Sequence, residues 1–213
     1  MVNRQKSKSK VKDIVLRHIS NNIKQYIIVA LLFTIGIIIG ILLIKNSSID
    51  TKIEINEYLN DFTKNLKDVG NIDKNKLLLT TMKSNLKITI LMWFMGSTVI
   101  GIPAVLGIII FKGVCIGYTV SSLIGVFGIK SGTIITFLSI FIQNLVLIPA
   151  ILAIGVSGIN LYKVITKNRH RENVKMEILR HTVFCVIMLA LVFVSCFIES
   201  FISPSLIEWY VKI

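Results

Sequence analysis

The chain has 213 residues, of which 54% are hydrophobic, and carries a net charge of +13 from 24 Lys and Arg against 11 Asp and Glu. Its mean hydropathy is +0.76. The hydrophobic residues lie in nearly uncharged blocks of about 17 to 30 residues, a length that crosses a bilayer rather than forming a water-soluble core. The composition therefore argues against a soluble globular domain and predicts an all-α, polytopic transmembrane helical bundle.

The positive charge falls in two clusters that flank hydrophobic blocks, one in residues 1–25 and one in residues 163–181. We interpret both as topology signals that also contact anionic membrane lipids. Nucleic acid, a common partner of strongly basic soluble proteins, is not expected. Three cysteines lie inside hydrophobic blocks without a CxxC motif, so neither a disulfide framework, a metal site nor a cofactor is expected.

Residues 1–25 predict a short basic amphipathic helix on the cytoplasmic membrane surface, because apolar residues recur there at helical spacing. The first span follows at residues 26–44, which carry no charge. This stretch is too long for a cleaved signal peptide and no small-residue cleavage site follows it. We therefore expect a retained anchor with the N-terminus in the cytoplasm.

Residues 45–87 form the one sizeable hydrophilic segment between spans, with eight lysines and six acidic residues. Five apolar residues in it follow a 4-3-4-3 spacing, which predicts an amphipathic extracytoplasmic helix: Ile55, Leu59, Phe62, Leu66 and Val69. The apolar stripe must be buried against another surface. Packing on the protein's own spans or on the membrane surface is one alternative, and docking of a partner protein is the other.

Residues 88–201 predict a four-span bundle. Lys112 is the one charge in residues 88–129, and a lysine at the bilayer centre would cost several kcal/mol. We therefore predict a helical hairpin with a tight turn at residues 111–113. Residues 131–155 predict a span kinked at Pro149, followed by a short helix or turn. The last span is predicted at residues 182–201, with an outer tail at 202–213.

These spans number five, with the N-terminus inside and the C-terminus outside. The loop at residues 163–181 then lies in the cytoplasm with a net charge of +4 (six minus two), against +2 (eight minus six) for the longer outer segment 45–87. An even number of spans would place the basic loop outside, against the positive-inside rule.

Small residues recur every fourth position in the third span, at Gly113, Gly117, Ser121 and Gly125. A stripe of this kind allows close helix approach, either within the chain or between the chain and a partner span, a second copy included. Gly36 and Gly40 repeat the pattern in the first span.

Polar side chains inside the fourth span need partners, because hydrocarbon supplies none. Gln143 and Asn144 are expected to bind neighbouring helices or the carbonyls freed by Pro149, or else to line a polar site near the bilayer centre. Glu199, near the outer end of the last span, could reach the interface or pair with Lys130.

No catalytic motif is visible. The sequence has no GxSxG, HExxH or Walker loop, and no histidine is expected beside a nucleophile; two of the three lie in the basic inner loop. We therefore expect no enzymatic activity and no catalytic residues.

The runs FKGVCIGYT (residues 111–119) and IQNLVLIPA (residues 142–150) resemble segments of the stage II sporulation protein M family. The arrangement of a basic N-terminus, one hydrophilic outer segment and five spans is also similar to that family. Relatives in the wider superfamily often carry His-Gly and Glu in place of Gln143-Asn144 and Leu147, and this chain departs from that pattern. The resemblance covers nearly the whole chain.

The resemblance implies a multi-pass protein of the mother-cell membrane in an endospore-forming bacterium. Family members act with two peptidoglycan-degrading partners, the D-type and P-type sporulation hydrolases, to thin the septal wall and drive engulfment of the forespore. The M protein is regarded as the scaffold that recruits the P-type partner. Two other functions stay open from the residues themselves: a small transporter or permease subunit with a polar site near the fourth span, and an intramembrane enzyme.

Overall fold

The computed structural model describes residues 19–68, 73–98, 100–167 and 171–212, with the side chains at 62–68, 167, 171–173 and 208–212 outside the description. Over these residues every regular element is helical, which confirms the predicted all-α fold. Most of the predicted amphipathic segment at residues 1–25 lies outside the described part of the chain.

The helices follow one another with short connections. In chain order they are α1 (Ile23–Lys45), α2 (Ile49–Asp68), α3 (Lys74–Gly96), α4 (Ile102–Thr136), π1 (Phe137–Phe141), α5 (Ile142–Lys167), α6 (Arg171–Phe197), π2 (Ile198–Ile202) and α7 (Ser203–Lys212). The two π-helices join their neighbours without a gap, so residues 129–167 and 171–212 are each helical throughout.

Three stretches are long and apolar enough to cross a membrane: Ile23–Lys45, Ile102–Thr166 and Val174–Ile207. The second has 65 residues, more than three times the ~20 residues that one crossing needs. Helix α3 does not belong to this group, because Lys83, Asn85 and Lys87 lower the hydropathy of its central part.

Local sequence explains where two of the helices begin. The Asp73 carboxylate accepts hydrogen bonds from the backbone N–H groups of Asn75 (3.1 Å) and Lys76 (3.0 Å), and so caps the start of α3. Helix α4 begins after Gly101 with a proline in its first turn, where the missing N–H would have had no intrahelical partner.

Helix α4 reverses direction at Gly128, whose backbone angles are φ 77° and ψ 169°. A Cβ atom added at Gly132 would lie 2.6 Å from the Ile124 Cα atom, whereas eight residues of continuous helix would separate the two by ~12 Å. Residues 102–127 and 129–136 are therefore the two arms of a sharp helical hairpin. Glycine suits the bend because residues with a Cβ atom rarely adopt a positive φ.

Two sequence predictions about this region are wrong. No turn occurs at residues 111–113, because Lys112 lies inside α4 and finds polar partners within the bundle. No separate short helix follows Gly155, because α5 continues through Pro149 to Lys167 and packs on its neighbours there.

Contacts between the helices define their relative directions. Gly36 and Gly40 of α1 lie against Ile110 and Val114, so α1 and the first arm of α4 run parallel. The Lys163 ammonium of α5 donates to the Gln25 amide oxygen at 2.7 Å, which places the end of α5 beside the start of α1.

Helices α3 and α6 run in opposite directions. Asn85 of α3 contacts Cys196 (3.5 Å), and Trp93, two turns later, contacts Thr182 (3.2 Å). Gly96, at the end of α3, also lies against Gly158 near the end of α5. Five long helical segments therefore alternate in direction along the chain: α1, α3, 102–127, 129–167 and 171–202.

The bundle has two ends that differ in character. At the proximal end, where α1 begins, lie the end of α5 and the start of α6. At the distal end lie α2, the Gly128 bend and α7, and here Lys74 donates to the Ser205 hydroxyl at 3.0 Å. A buried apolar core between the ends is centred on α5, with contributions from α1, α3, α4 and α6, and includes Val29, Met92, Ile109, Ile154 and Val192.

Candidate functional sites in the helical bundle

The closest helix contact joins the small residues of α1 and α4, which form the most extensive helix pair of the described chain. A Cβ atom added at Gly113 would lie 2.3 Å from the Phe33 carbonyl oxygen, and one added at Gly117 would lie 2.1 Å from that of Ile37. Gly36 and Gly40 meet the α4 backbone equally closely. Only glycine permits this backbone approach at these positions.

One member of the predicted stripe lies outside this contact. Gly125 is exposed with no atom within 4 Å of an added Cβ atom, whereas Ser121 is half-buried. The stripe is therefore closely packed at Gly113 and Gly117 and open at Gly125, as the helix approaches its bend.

The Asn144 side chain and the Gln143 backbone carbonyl form hydrogen bonds within the chain. The Asn144 amide donates to the Ile140 carbonyl in π1 at 2.8 Å, and the Ser195 hydroxyl donates to the Gln143 carbonyl at 3.2 Å. Asn144 is buried and Gln143 is half-buried. The carbonyl that Asn144 binds belongs to the π-helix rather than to the turn freed by Pro149, whose ring is exposed.

Helix α2 lies at the distal end, where it contacts α4 and α7. Ile55 and Leu59 of the predicted apolar stripe are half-buried, whereas Phe62 and Leu66 belong to the side chains outside the description. Three other large apolar side chains of α2 are well exposed: Ile49 (77%), Ile53 (51%) and Tyr58 (73%). The exposed apolar surface of this helix is therefore different from the predicted stripe.

A polar cluster lies inside the bundle, where α3, α4 and the end of α6 meet. The Lys112 ammonium donates to the Asn85 side-chain oxygen at 3.4 Å, and the Asn85 amide nitrogen lies 3.5 Å from the Cys196 sulfur. The Glu199 carboxylate lies beside the Thr81 hydroxyl and within electrostatic range of Lys112. We refer to Thr81, Asn85, Lys112, Cys196 and Glu199 as the Lys112 cluster.

Sequence reasoning missed the Lys112 cluster as a unit, although one signal was present. Thr81, Asn85 and Thr89 recur every four residues on α3, and all three are buried. This spacing places them on one helix face, and a buried polar face needs hydrogen-bond partners from other helices. Glu199 faces Lys112, rather than the exposed Lys130 considered for it.

A second polar contact joins α5 to α6 near the proximal end. The Ser157 hydroxyl lies 2.8 Å from His181 Nδ1, and the Cys185 sulfur lies 3.6 Å from His181 Nε2. His181 is 2% exposed and packs against Gly96. The expectation that no histidine lies beside a nucleophilic side chain, and that His181 belongs to a loop, is therefore wrong; no sequence motif marks the pair.

The fold and its polar interior define a helical membrane protein. A family model described as stage II sporulation protein M matches residues 29–204. The chain belongs to the stage II sporulation protein M family, as the resemblance predicted, and is a sporulation-related membrane protein. Neither the comparison with curated proteins nor the comparison with solved structures gave a match.

Proposed function

We propose that the protein is a non-enzymatic membrane scaffold of the sporulating mother cell. In this proposal it recruits or anchors the D-type and P-type peptidoglycan hydrolases for septal thinning and forespore engulfment. The family match over residues 29–204 supports the biological setting. The observation that carries the scaffold function is the distal helix α2, on which the apolar side chains of Ile49, Ile53 and Tyr58 are exposed on more than one face.

The proposal includes five membrane crossings, with the proximal end in the cytoplasm. The alternating directions of the five long segments support this number. The orientation is supported by the excess of basic residues in the sequence at 1–25 and 163–181 and by the positive-inside rule. The described parts of both segments, 19–25 together with 163–167 and 171–181, lie at the proximal end. Helix α2 and α7 would then lie outside, on the side of the peptidoglycan.

One face of α3 also favours a binding function. This face carries four exposed polar residues: Thr80, Lys83, Ser84 and Lys87. Lys83 and Lys87 lie on either side of Asn85 in the sequence. Asn85 contacts Lys112, which lies halfway along the first arm of α4. A lysine facing hydrocarbon at this depth would cost about 2.5–3.5 kcal/mol on the insertion scale. Contact with polar or acidic groups of a partner would remove that cost. This face therefore favours a complex with another protein over a monomeric bundle.

Replacing Ile53 and Tyr58 together by glutamate is expected to reduce capture of the P-type hydrolase at least tenfold. Burial of two such side chains contributes about 1.5–3 kcal/mol each, and a carboxylate cannot be buried in their place without a partner. The measurement is co-purification of tagged chain and hydrolase from sporulating cells, normalised to inserted protein.

The control is Ile100→Glu, which changes an even more exposed apolar residue (90%) at the proximal end. It is expected to leave capture unchanged. Normal capture by the doubly substituted α2, with the protein still inserted, would remove this surface from the proposal.

A small transporter or permease subunit is the second candidate, favoured by the charged Lys112 cluster and the basic face of α3. Both could line a water-filled path. Proteoliposome flux that depends on Lys112 and is independent of any hydrolase would favour this function over the scaffold. Loss of hydrolase capture in an α2 variant that retains the bundle would favour the scaffold.

A further inference from the structure

The proximal end contains a groove of about 970 Å3 between the start of α1, the end of α5 and the start of α6. This volume lies at the upper end of the ~300–1,000 Å3 typical of ligand pockets. The groove is not the Lys112 cluster, from which it is separated by the length of α6 between His181 and Cys196. Neither the scaffold function nor the transporter alternative uses it.

The polarity of the groove changes along the bundle axis. Lys163, Glu177 and Arg180 line its proximal part, whereas Phe184 and Ile187 line the part nearer the middle of the bundle. Six residues of helix separate His181 from Ile187, a rise of ~9 Å. The groove therefore offers charge at one end and hydrocarbon at the other, as a lipid headgroup and its acyl chains require.

Two cationic groups of the groove have polar partners. Lys163 donates to the Gln25 amide oxygen at 2.7 Å, and Arg180 pairs with Glu177 at 2.6 Å. Each retains further N–H donors after these bonds, because an ammonium has three and a guanidinium five. Asn160 and Ser157 add polar atoms to the same wall. A phosphate oxygen is the acceptor that such a set of donors binds best.

We propose that this groove binds an anionic phospholipid, with its phosphate headgroup against Lys163, Arg180 and Asn160 and an acyl chain along Phe184 and Ile187. The groove is open on its apolar side, where Val183 is 52% exposed. The surplus of one positive charge among Lys163, Arg180 and Glu177 favours an anionic headgroup over a zwitterionic one.

The test uses the full chain purified in neutral detergent. Phosphatidylglycerol is expected to raise the thermal unfolding midpoint, and native mass spectrometry is expected to show one retained lipid per chain. Lys163→Gln should weaken the apparent affinity about tenfold, the effect of losing one hydrogen bond to a charged group. Lys175→Gln is the matched control, since Lys175 is an exposed lysine of α6 outside the groove; it should change the affinity less than twofold.

Three outcomes would overturn the proposal. Equal weakening by Lys163→Gln and Lys175→Gln would mean attraction by net charge alone. Equal stabilisation by phosphatidylcholine would mean that the headgroup is not recognised. Full stabilisation by glycerol phosphate or inorganic phosphate, without acyl chains, would mean that the groove takes a free phosphate and not a lipid.

Discussion

Gly117→Leu is expected to separate α1 from α4 and to destabilise the bundle by about 3 kcal/mol or more, at the upper end of the usual cost of overpacking. The added Cβ atom alone would lie 2.1 Å from the Ile37 carbonyl oxygen, and backbone on both sides of the contact leaves no side chain that can move away. The measurement is the fraction of folded protein in detergent as a function of temperature or denaturant.

Gly125→Leu is the matched control for this experiment. It makes the same substitution two turns further along the same helix, where no atom lies within 4 Å of the added Cβ atom. We expect a change within about 0.5 kcal/mol, typical of surface substitutions. An equal loss of stability at the two positions would contradict the α1–α4 contact. Effects common to both positions, such as helix propensity and exposure to lipid, would then explain the two losses.

The second large effect is expected at the Lys112 cluster. Lys112→Leu and Glu199→Leu should each destabilise the bundle by about 1–3 kcal/mol, because each leaves a buried polar side chain, Asn85 or Thr81, without its charged partner. The double substitution should cost less than the sum of the two by about 0.5–3 kcal/mol, the usual coupling of residues that share a network. Thermal unfolding of the four proteins in detergent measures the cycle.

Lys130→Leu combined with Glu199→Leu provides the control cycle. Lys130 is exposed beyond the Gly128 bend, so its substitution should add to that of Glu199 without coupling. The opposite result would be additive effects of the Lys112 and Glu199 substitutions together with coupled effects of the Lys130 and Glu199 substitutions. It would show that Glu199 pairs with Lys130 at the distal surface, as the sequence also allowed, and not with Lys112 inside the bundle.

The sequence was informative wherever a local property determines structure. Long uncharged blocks predicted the helices, because hydrocarbon leaves the backbone few other ways to satisfy its hydrogen bonds. Glycine pairs four residues apart marked the faces of α1 and α4 that pack most closely. Helix α2 was also expected from its apolar spacing, although that spacing did not show which of its apolar residues remain exposed.

The errors arose where distant residues change the energetics of one position. A lone lysine in hydrocarbon favours a turn, but Asn85 and Glu199 come from helices far away in sequence and stabilise Lys112 inside α4. The Ser157–His181 contact joins two helices without any sequence motif, so only the three-dimensional arrangement reveals it.

The account depends most directly on α2 lying outside the cell and the basic loop inside. The measurement is labelling of single cysteines by a membrane-impermeant maleimide in intact protoplasts, using a chain without its three native cysteines. Cysteines at Asn56 and Lys130 should be labelled at once, and one at Lys175 only after permeabilisation. Labelling of the Lys175 position in intact protoplasts, or protection of the Lys130 position, would contradict the five-crossing scaffold.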